Sequence, residues 1–340
     1  MTKREPIITR RELHVVLIET ASRGQRGSMV RYADQVAHVL CRLNYPFQVR
    51  IRRVCLAPPI SLLKFLPVLL RARIHHVWVA WASMVRLAGQ QADIFHIIDG
   101  SQAYVAKWLP DTPVLATAHG FIPFLQSNGR FPQKPLGRIA RWLIHKSIEE
   151  LKKLELVIAD SQSTKNDFVN SAGGDIDKIM VVYPAVSTCM SKGTVSKVNT
   201  QWTDRRHSKT AFILHVGNNS FYKNRAGVLR VFARIRKKFD VELKMAGQPP
   251  GPELISLIRE LDLTRYIHFV VNPEDDQIVE LYHKAVLLLF PSIYEGFGWP
   301  PLEAMSCGCP VVCSTAGSLP EVVGEAALKS SAVNYDQMAE

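Results

Sequence analysis

At 340 residues, with 47% hydrophobic and 21% charged residues, the chain is long enough for two cores and too apolar to be disordered. A formal net charge of +12 favours anionic partners, either phosphorylated small molecules or acidic lipid surfaces. Zinc-finger spacing and RNA-binding aromatic signatures are absent, so nucleic acid is not expected as a partner. No run reaches the ~18 apolar residues of a membrane-spanning helix. Met1–Pro6 carries charge without an apolar stretch behind it, which is not a signal peptide. Six cysteines (Cys41, Cys55, Cys189, Cys307, Cys309, Cys313) are scattered without a disulfide framework or zinc spacing. Cys309 and Cys313 flank an apolar strand and read as small apolar filler, and a reducing cytoplasm is the expected compartment.

Leu13–Ile18 reads as a short buried strand, followed by the loop Ser22–Ser28 with Gly24 and Gly27, and Ser28 is placed as a helix cap. Met29, Ala33, Val36, Ala37, Leu40 and Leu43 then recur at helical spacing. Strand, glycine loop and helix open a Rossmann-like unit, but the loop is not GxGxxG, which argues against a nicotinamide or flavin cofactor. Phe47, Val49, Ile51 and Val54 alternate with basic residues as in a half-exposed strand. Ile60–Arg73 is very apolar, edged with cations and broken by Pro67. Two readings stay open for it: a helix lying on an anionic membrane surface, or an ordinary helix packed on the sheet. Asp93–Asp99 and Val114–Thr117 are further strands, the second running into His119. A helix over Ile139–Leu154, a strand at Val157–Ala159, a polar-capped helix after Asp160–Thr164 and a strand at Ile179–Tyr183 complete the first half.

Residues 187–209 turn polar and read as a linker between a domain over 1–186 and a second over 210–340. The second domain repeats the alternation: strand Ala211–Val216, turn Gly217–Asn224, and a helix on which Leu229, Phe232, Ile235 and Phe239 share a face. Strand Val241–Ala246, helix Glu253–Leu261, strand Tyr266–Val271 and helix Asp276–Ala285 lead to the apolar strand Val286–Pro291. Next comes Tyr294–Met305, where Gly296 and Gly298 allow a tight turn and Pro300 and Pro301 suit a first helical turn. Strand, glycine turn and helix N-terminus together suit an anion, and Glu295 and Glu303 frame them with seven residues between. The expected fold class is α/β, two Rossmann-like domains whose parallel sheets face a central cleft. The chain stops soon after Glu325–Leu328, so the second domain reads as cut short at its C-terminal end.

Three blocks carry a family resemblance: His215–Gly217 with Lys223 and Asn224; Phe290–Ser292 through Glu303–Met305; and Gly308–Val312 with Gly317–Glu321. Over roughly 211–325 they resemble the retaining glycosyltransferases of family 4 (group 1), of the GT-B fold; the N-terminal half is similar only through Gly24, Gly27, His119, Ser161 and Ser163. The resemblance implies transfer of a sugar from a UDP- or GDP-linked donor to a glycan or lipid-linked acceptor, with retained configuration and no metal or other cofactor. It implies Lys223 on the diphosphate, Glu295 on donor-sugar hydroxyls, Glu303 on the ribose and His119 at the sugar. Gly296, Phe297 and Gly298 would add backbone donors, Gly24 and Gly27 would meet phosphate or acceptor, and Asn272 would lie at the base edge. Relatives often place an arginine directly after the glycine that corresponds to Gly217; here Asn218 and Asn219 stand there, so either Arg225, Arg23 or Arg26 compensates or the grip on phosphate is weaker. The expected setting is peripheral, on the inner face of the plasma membrane, in cell-surface polysaccharide or glycolipid synthesis. A nucleotide-sugar 2-epimerase and a non-catalytic sugar-nucleotide binder remain as competing readings.

Overall fold

Strand and helix alternate from the first described residue. The computed structural model describes residues 12–21, 27–59, 68–131, 136–186 and 211–340. The linker reading for 187–209, together with Arg23, Gly24, Arg26 and the Ile60–Pro67 part of the apolar segment, lies outside the described residues. By contacts the chain forms two units, one holding residues up to Asp160 and Thr164–Ala185, the other Ser161–Ser163 and Val186–Glu340.

The first unit runs β1 (Glu12–Glu19), α1 (Ser28–Arg42), β2 (Gln48–Cys55), α2 (Val68–Leu87), β3 (Ile94–Ile97), a 3-10 helix (Gly100–Trp108) and β4 (Val114–Ala118). It continues with α3 (Ile122–Ser127), α4 (Arg138–Lys153), β5 (Leu156–Ala159), α5 (Gln162–Asn166) and β6 (Ile179–Val181). The six strands are parallel, in the order β2-β1-β3-β4-β5-β6. β1 is interior, so Val15 to Ile18 are all buried, whereas β2 is the sheet edge and leaves Gln48, Arg50 and Arg52 exposed. The connections β2→β3, β3→β4 and β4→β5 cross the sheet in one direction, and β1→β2 in the other. Right-handed crossovers therefore place α1 on one face and α2, the 3-10 helix and α4 on the opposite one.

Two readings need correction here. Ser28 is not the cap of α1: it is the first helical residue, Gly27 is the N-cap, and among the described residues no side-chain hydrogen bond caps the helix. The apolar segment does not end its helical character at Arg73, because α2 continues to Leu87. Nothing in Ile74–Leu87 breaks a helix, and the left-handed Gly89 (φ 74°) follows it.

The second unit runs β7 (Phe212–Gly217), α6 (Arg225–Arg236), β8 (Glu242–Gly247), α7 (Pro252–Glu260), β9 (Ile267–Val271) and α8 (Asp275–Lys284). It ends with β10 (Leu287–Phe290), α9 (Trp299–Ser306), β11 (Val311–Ser314), α10 (Leu319–Val323), β12 (Leu328–Ser330) and α11 (Tyr335–Ala339). These six strands are also parallel, in the order β12-β11-β10-β7-β8-β9. The chain works outward from β7 to β9, then returns to the other side of β7 at β10. That reversal makes the C-terminal ends of β7 and β10 the topological switch point, where open α/β sheets bind ligands. Side chains alternate between two cores: Phe212, Leu214, Leu288 and Phe290 belong to one, Ile213 and Leu289 to the other. Phe239 does not share the buried face of α6, contrary to expectation; the helix stops at Arg236 and Phe239 is exposed. The sequence reading contained neither β12 nor α11, whose Met338 joins the α6 core.

Candidate active site

The loop between β10 and α9 is buried along almost its whole length, which is unusual for a connection and demands partners for its backbone. They come from the turn after β11. Ser318 donates its hydroxyl to the carbonyls of Phe297 (2.6 Å) and Glu295 (3.2 Å), and its N–H to Glu295 as well. Ser314 donates to the Ser292 carbonyl at 2.5 Å. Gly317 has φ 60°, and a Cβ there would stand 2.3 Å from the Glu295 carbonyl oxygen. Gly298, at φ 101°, leads into α9, whose first turn accepts Pro300 and Pro301 because those positions lack intrahelical N–H partners. The Gly317–Glu321 block, quoted above only as part of a resemblance, is thus the cradle that fixes Glu295.

Lys223 ends a 3-10 turn after β7, and its Nζ lies 2.8 and 3.0 Å from the two oxygens of Glu295. Both side chains are largely buried, 14% and 6% exposed, so the pair is held with little help from water. The ammonium also sits 5.1 Å from the Phe290 ring centre and 5.4 Å from that of Tyr222. Asn224 sets the lysine's position. It adopts φ 50°, its Oδ1 accepts from the Gly227 N–H to cap α6, and its Nδ2 donates to the carbonyls of Pro291 (2.8 Å) and Ala332 (3.1 Å). The Ile293 N–H bonds the Tyr222 carbonyl at 2.7 Å, a second strap between the two loops. Sequence reasoning quoted Asn224 without giving it this role; an asparagine after a turn and before a helix was the available signal.

Glu303 is 3% exposed and accepts a hydrogen bond from the Tyr282 hydroxyl of α8 at 3.1 Å. The two glutamates therefore stand in different settings, one on an ammonium and one on a phenol. Tyr282 carries no local sequence signal, since α8 reads as an ordinary amphipathic helix.

Asn219, Asn218 and Arg225 turn mostly toward protein. The Arg225 guanidinium, 6% exposed, donates Nη1 to Asn219 Oδ1 and to the Gln248 carbonyl (3.0 Å). Asn219 also bonds Gln248 and the Pro249 carbonyl, and Asn218 Oδ1 accepts from the Ser220 N–H at 3.0 Å. This knot ties the loop after β7 to the loop after β8. The expectation that Arg225 stands in for the absent phosphate arginine is therefore modified: its Nη1 is committed within the protein, while Nε and Nη2 are buried without a hydrogen-bond partner among the described residues. Asn272, after β9, is left-handed (φ 48°) and donates its N–H to the Gly247 carbonyl at 2.8 Å. His215 was quoted only as part of a motif. It is fully buried, its Nδ1 donates to the Leu289 carbonyl at 3.0 Å, and burial pushes its pKa down to about 3, with Arg225 and Lys223 adding to the shift against that backbone bond.

In the first unit His119 follows β4. Its Nε2 donates to the Ile98 carbonyl at 2.9 Å, its Nδ1 lies 3.3 Å from Asp160 Oδ2, and its ring meets Tyr32 edge-on. The Asp160 contact is an ion pair when the ring is protonated. Both ring nitrogens face the protein, so the expected sugar contact requires one of these interactions to give way. Gly27 has an extended φ of 162°, which any residue adopts, and no described residue stands where its Cβ would go. Cys307, Cys309 and Cys313 are buried thiols outside any disulfide, and burial pushes Cys313 up to about 11.

The histidines predict the pH profile of stability. For His119 burial lowers the pKa, but Asp160, Asp99 and the Ile98 carbonyl outweigh it and the result is raised. Its contribution is full below the unfolded value near 6.5 and is lost as pH rises through the raised folded value. His96 and His215 are both lowered to about 3, chiefly by burial. Each therefore costs stability as pH falls from about 6.5 towards 3, by up to about 1.4 kcal/mol per pH unit. Thermal melts against pH should flatten on the alkaline side in His119→Gln and on the acid side in His215→Asn.

Two parallel six-stranded α/β units, with a buried glycine turn at the switch point of the second, have the GT-B fold of glycosyltransferases. The family model described as Glycosyltransferase Family 4 matches residues 29–188, and that for Glycosyl transferases group 1 matches 199–340. The chain belongs to this glycosyltransferase family. It is 27% identical over 200 residues to the O-antigen chain mannosyltransferase B of Escherichia coli, which covers 58% of this chain and 52% of the relative. It is also 27% identical over 252 residues to the MMP alpha-(1->4)-mannosyltransferase of Mycolicibacterium hassiacum, 70% of this chain and 57% of the other. The chain thus spans about half the length of these curated relatives. Anabaena HepE, solved in complex with UDP and glucose, has the same fold at 17% identity and a TM-score of 0.66, over 96% of this chain and 88% of its own.

Proposed function

We propose that the protein is a retaining, metal-independent hexosyltransferase that moves a sugar from a nucleoside-diphosphate donor to a glycan or lipid-linked acceptor. The setting would be the cytoplasmic side of cell-surface polysaccharide or glycolipid synthesis. The buried Lys223–Glu295 pair at the switch point carries this reading. With donor bound, the ammonium would pass from the carboxylate to the diphosphate, and Glu295 would accept sugar hydroxyls in its place. The backbone of Gly296, Phe297 and Gly298 and the α9 dipole add positive potential where the leaving group gains charge. As the bond between the anomeric carbon and phosphate oxygen breaks, the acceptor oxygen bonds the same face of that carbon. Its proton goes to the departing phosphate. Glu303, oriented by Tyr282, would accept from the ribose hydroxyls. His119 has no step here, because both its nitrogens face protein groups.

The curated relatives named as mannosyltransferases and the HepE complex with UDP and glucose make mannose- and glucose-bearing UDP and GDP donors the first to screen. At least one should raise the melting temperature, and Glu303→Ala should weaken its binding by about tenfold or more. Proton NMR of the product should then show the donor's anomeric configuration retained. Indifference of the protein to every donor, with Glu303→Ala behaving as wild type, sinks the proposal. Release of an epimerised free sugar without acceptor would point to the 2-epimerase, and tight donor binding without turnover to a non-catalytic binder.

A further inference from the structure

The helical layer on one face of the first sheet carries a surface the transfer reaction does not use. α2 turns Val79, Ala82, Ser83 and Leu87 inward. Its opposite side exposes Val77, Trp81, Met84 and Val85, an apolar stripe at helical spacing where solvent-facing positions are normally polar. Ile74, Val77, Trp78 and Trp81 line a shallow groove along it. α4 repeats the pattern, exposing Ile139 and Trp142 with Arg138, Arg141 and Lys146 around them. Trp81 is 52% exposed and Trp142 58%, more indole surface than a solvated face ordinarily shows. Both helices pack on the 3-10 helix Gly100–Trp108, so the two helices belong to one layer.

Charge decides what could cover this layer. α2 contains no acidic residue, and α4 has only Glu149 and Glu150, which are paired by Lys152 and Lys153 near its C-terminal end. At the far border Arg86 and the edge-strand Arg52 line a second hollow together with Val85. Exposed tryptophan beside arginine and lysine, with acids confined to one end, matches a lipid interface whose headgroups are anionic and whose acyl boundary takes indole rings. Among the described residues no helix is long and apolar enough to cross a membrane, so contact would be from one side.

We propose that the α2–α4 layer docks on an anionic bilayer surface, with Val77, Trp81, Met84 and Trp142 entering the headgroup–acyl boundary while Arg138 and Arg141 pair with lipid phosphates. The site differs from the Ile60–Arg73 segment to which a membrane reading was attached above. It rests on the proposed function only for the use the protein would make of the membrane, namely reaching a lipid-linked acceptor. The test is co-sedimentation of the full chain with phosphatidylcholine vesicles with and without phosphatidylglycerol. Binding is expected only with the anionic lipid, and should fade as salt rises. Each arginine reversal should weaken binding at least about fivefold, so Arg138→Glu/Arg141→Glu loses about 25-fold or more. Trp81→Ala/Trp142→Ala should also release the protein, and quenching of its fluorescence by bromolipid should disappear. Both variants should melt like the wild type and bind sugar nucleotides unchanged, so loss of docking and loss of donor binding are separate outcomes. The proposal is overturned if the wild type does not pellet, or if pelleting survives both double variants. A protein dimer in solution that Trp81→Ala/Trp142→Ala dissolves, in place of vesicle binding, overturns it too.

Discussion

Lys223→Met should lower sugar transfer by about 10²–10³-fold, the usual effect of deleting one charge-stabilising donor at a reacting centre. Stability should fall as well, because Glu295 is then a buried carboxylate without its ammonium. Breaking one side of such a pair costs about 3–5 kcal/mol, whereas removing both charges is often nearly neutral. Glu295→Gln alone strands the lysine, which is 14% exposed and retains some access to water, so it should destabilise less. The double variant Lys223→Met/Glu295→Gln should recover most of the lost stability and none of the lost turnover. Urea denaturation and donor-dependent product formation, measured on the same four proteins, separate the two effects. Recovery of turnover in the double variant would reduce Lys223–Glu295 to a structural pair.

Gly317→Ala should disable the site from behind the Glu295 backbone. Alanine at φ 60° pays about 1–2 kcal/mol for the left-handed conformation. Its methyl group would also stand 2.3 Å from the Glu295 carbonyl oxygen and 2.8 Å from the Glu295 nitrogen, both backbone atoms that cannot swing aside. Relieving that overlap adds roughly 1–3 kcal/mol and moves the very segment that aims Glu295. A loss of about 2–5 kcal/mol is expected, with activity falling further than the unfolded fraction explains. Gly251→Ala is the control: its φ of −78° and open surroundings leave melting and turnover near wild type. Equal behaviour of the two alanine variants would remove the cradle from the explanation.

What could be read beforehand divides along a physical line. Short apolar runs such as Leu13–Ile18 and Val286–Pro291 announced β1 and β10, because a strand covered on both faces needs no partner to reveal itself. The glycines and prolines around Glu295 likewise declared their turn through local backbone chemistry. Contacts made at long range were not legible. Neither the hold of Ser318 on the Glu295 loop nor the Tyr282–Glu303 bond leaves a mark in neighbouring residues, since each depends on how distant elements stack. α2 was cut short for the opposite reason: Pro67 and the cations near it drew attention away from a stretch, Ile74–Leu87, with nothing to break a helix. The misplaced cap at Ser28 shows a good capping residue overruled by one position of register. Asn219 and Arg225 were read as ligand-facing when they are largely spent on each other and on the loop after β8.

The side-chain amide of Asn224 has a bearing on how the protein is made. One of its hydrogens meets a carbonyl 67 residues further on, and the other meets one 108 residues further on. During synthesis at about 5–20 residues per second, β7 and α6 emerge several seconds before Ala332 exists to receive that second bond. Lys223 therefore waits on a loop whose anchor has not yet been translated, and contacts of such long sequence separation form late. In a refolding experiment the first unit and the α6 core should gain protection from hydrogen exchange early. The amides around Lys223 and Asn224 should be protected together with β12, among the last of the second unit to close.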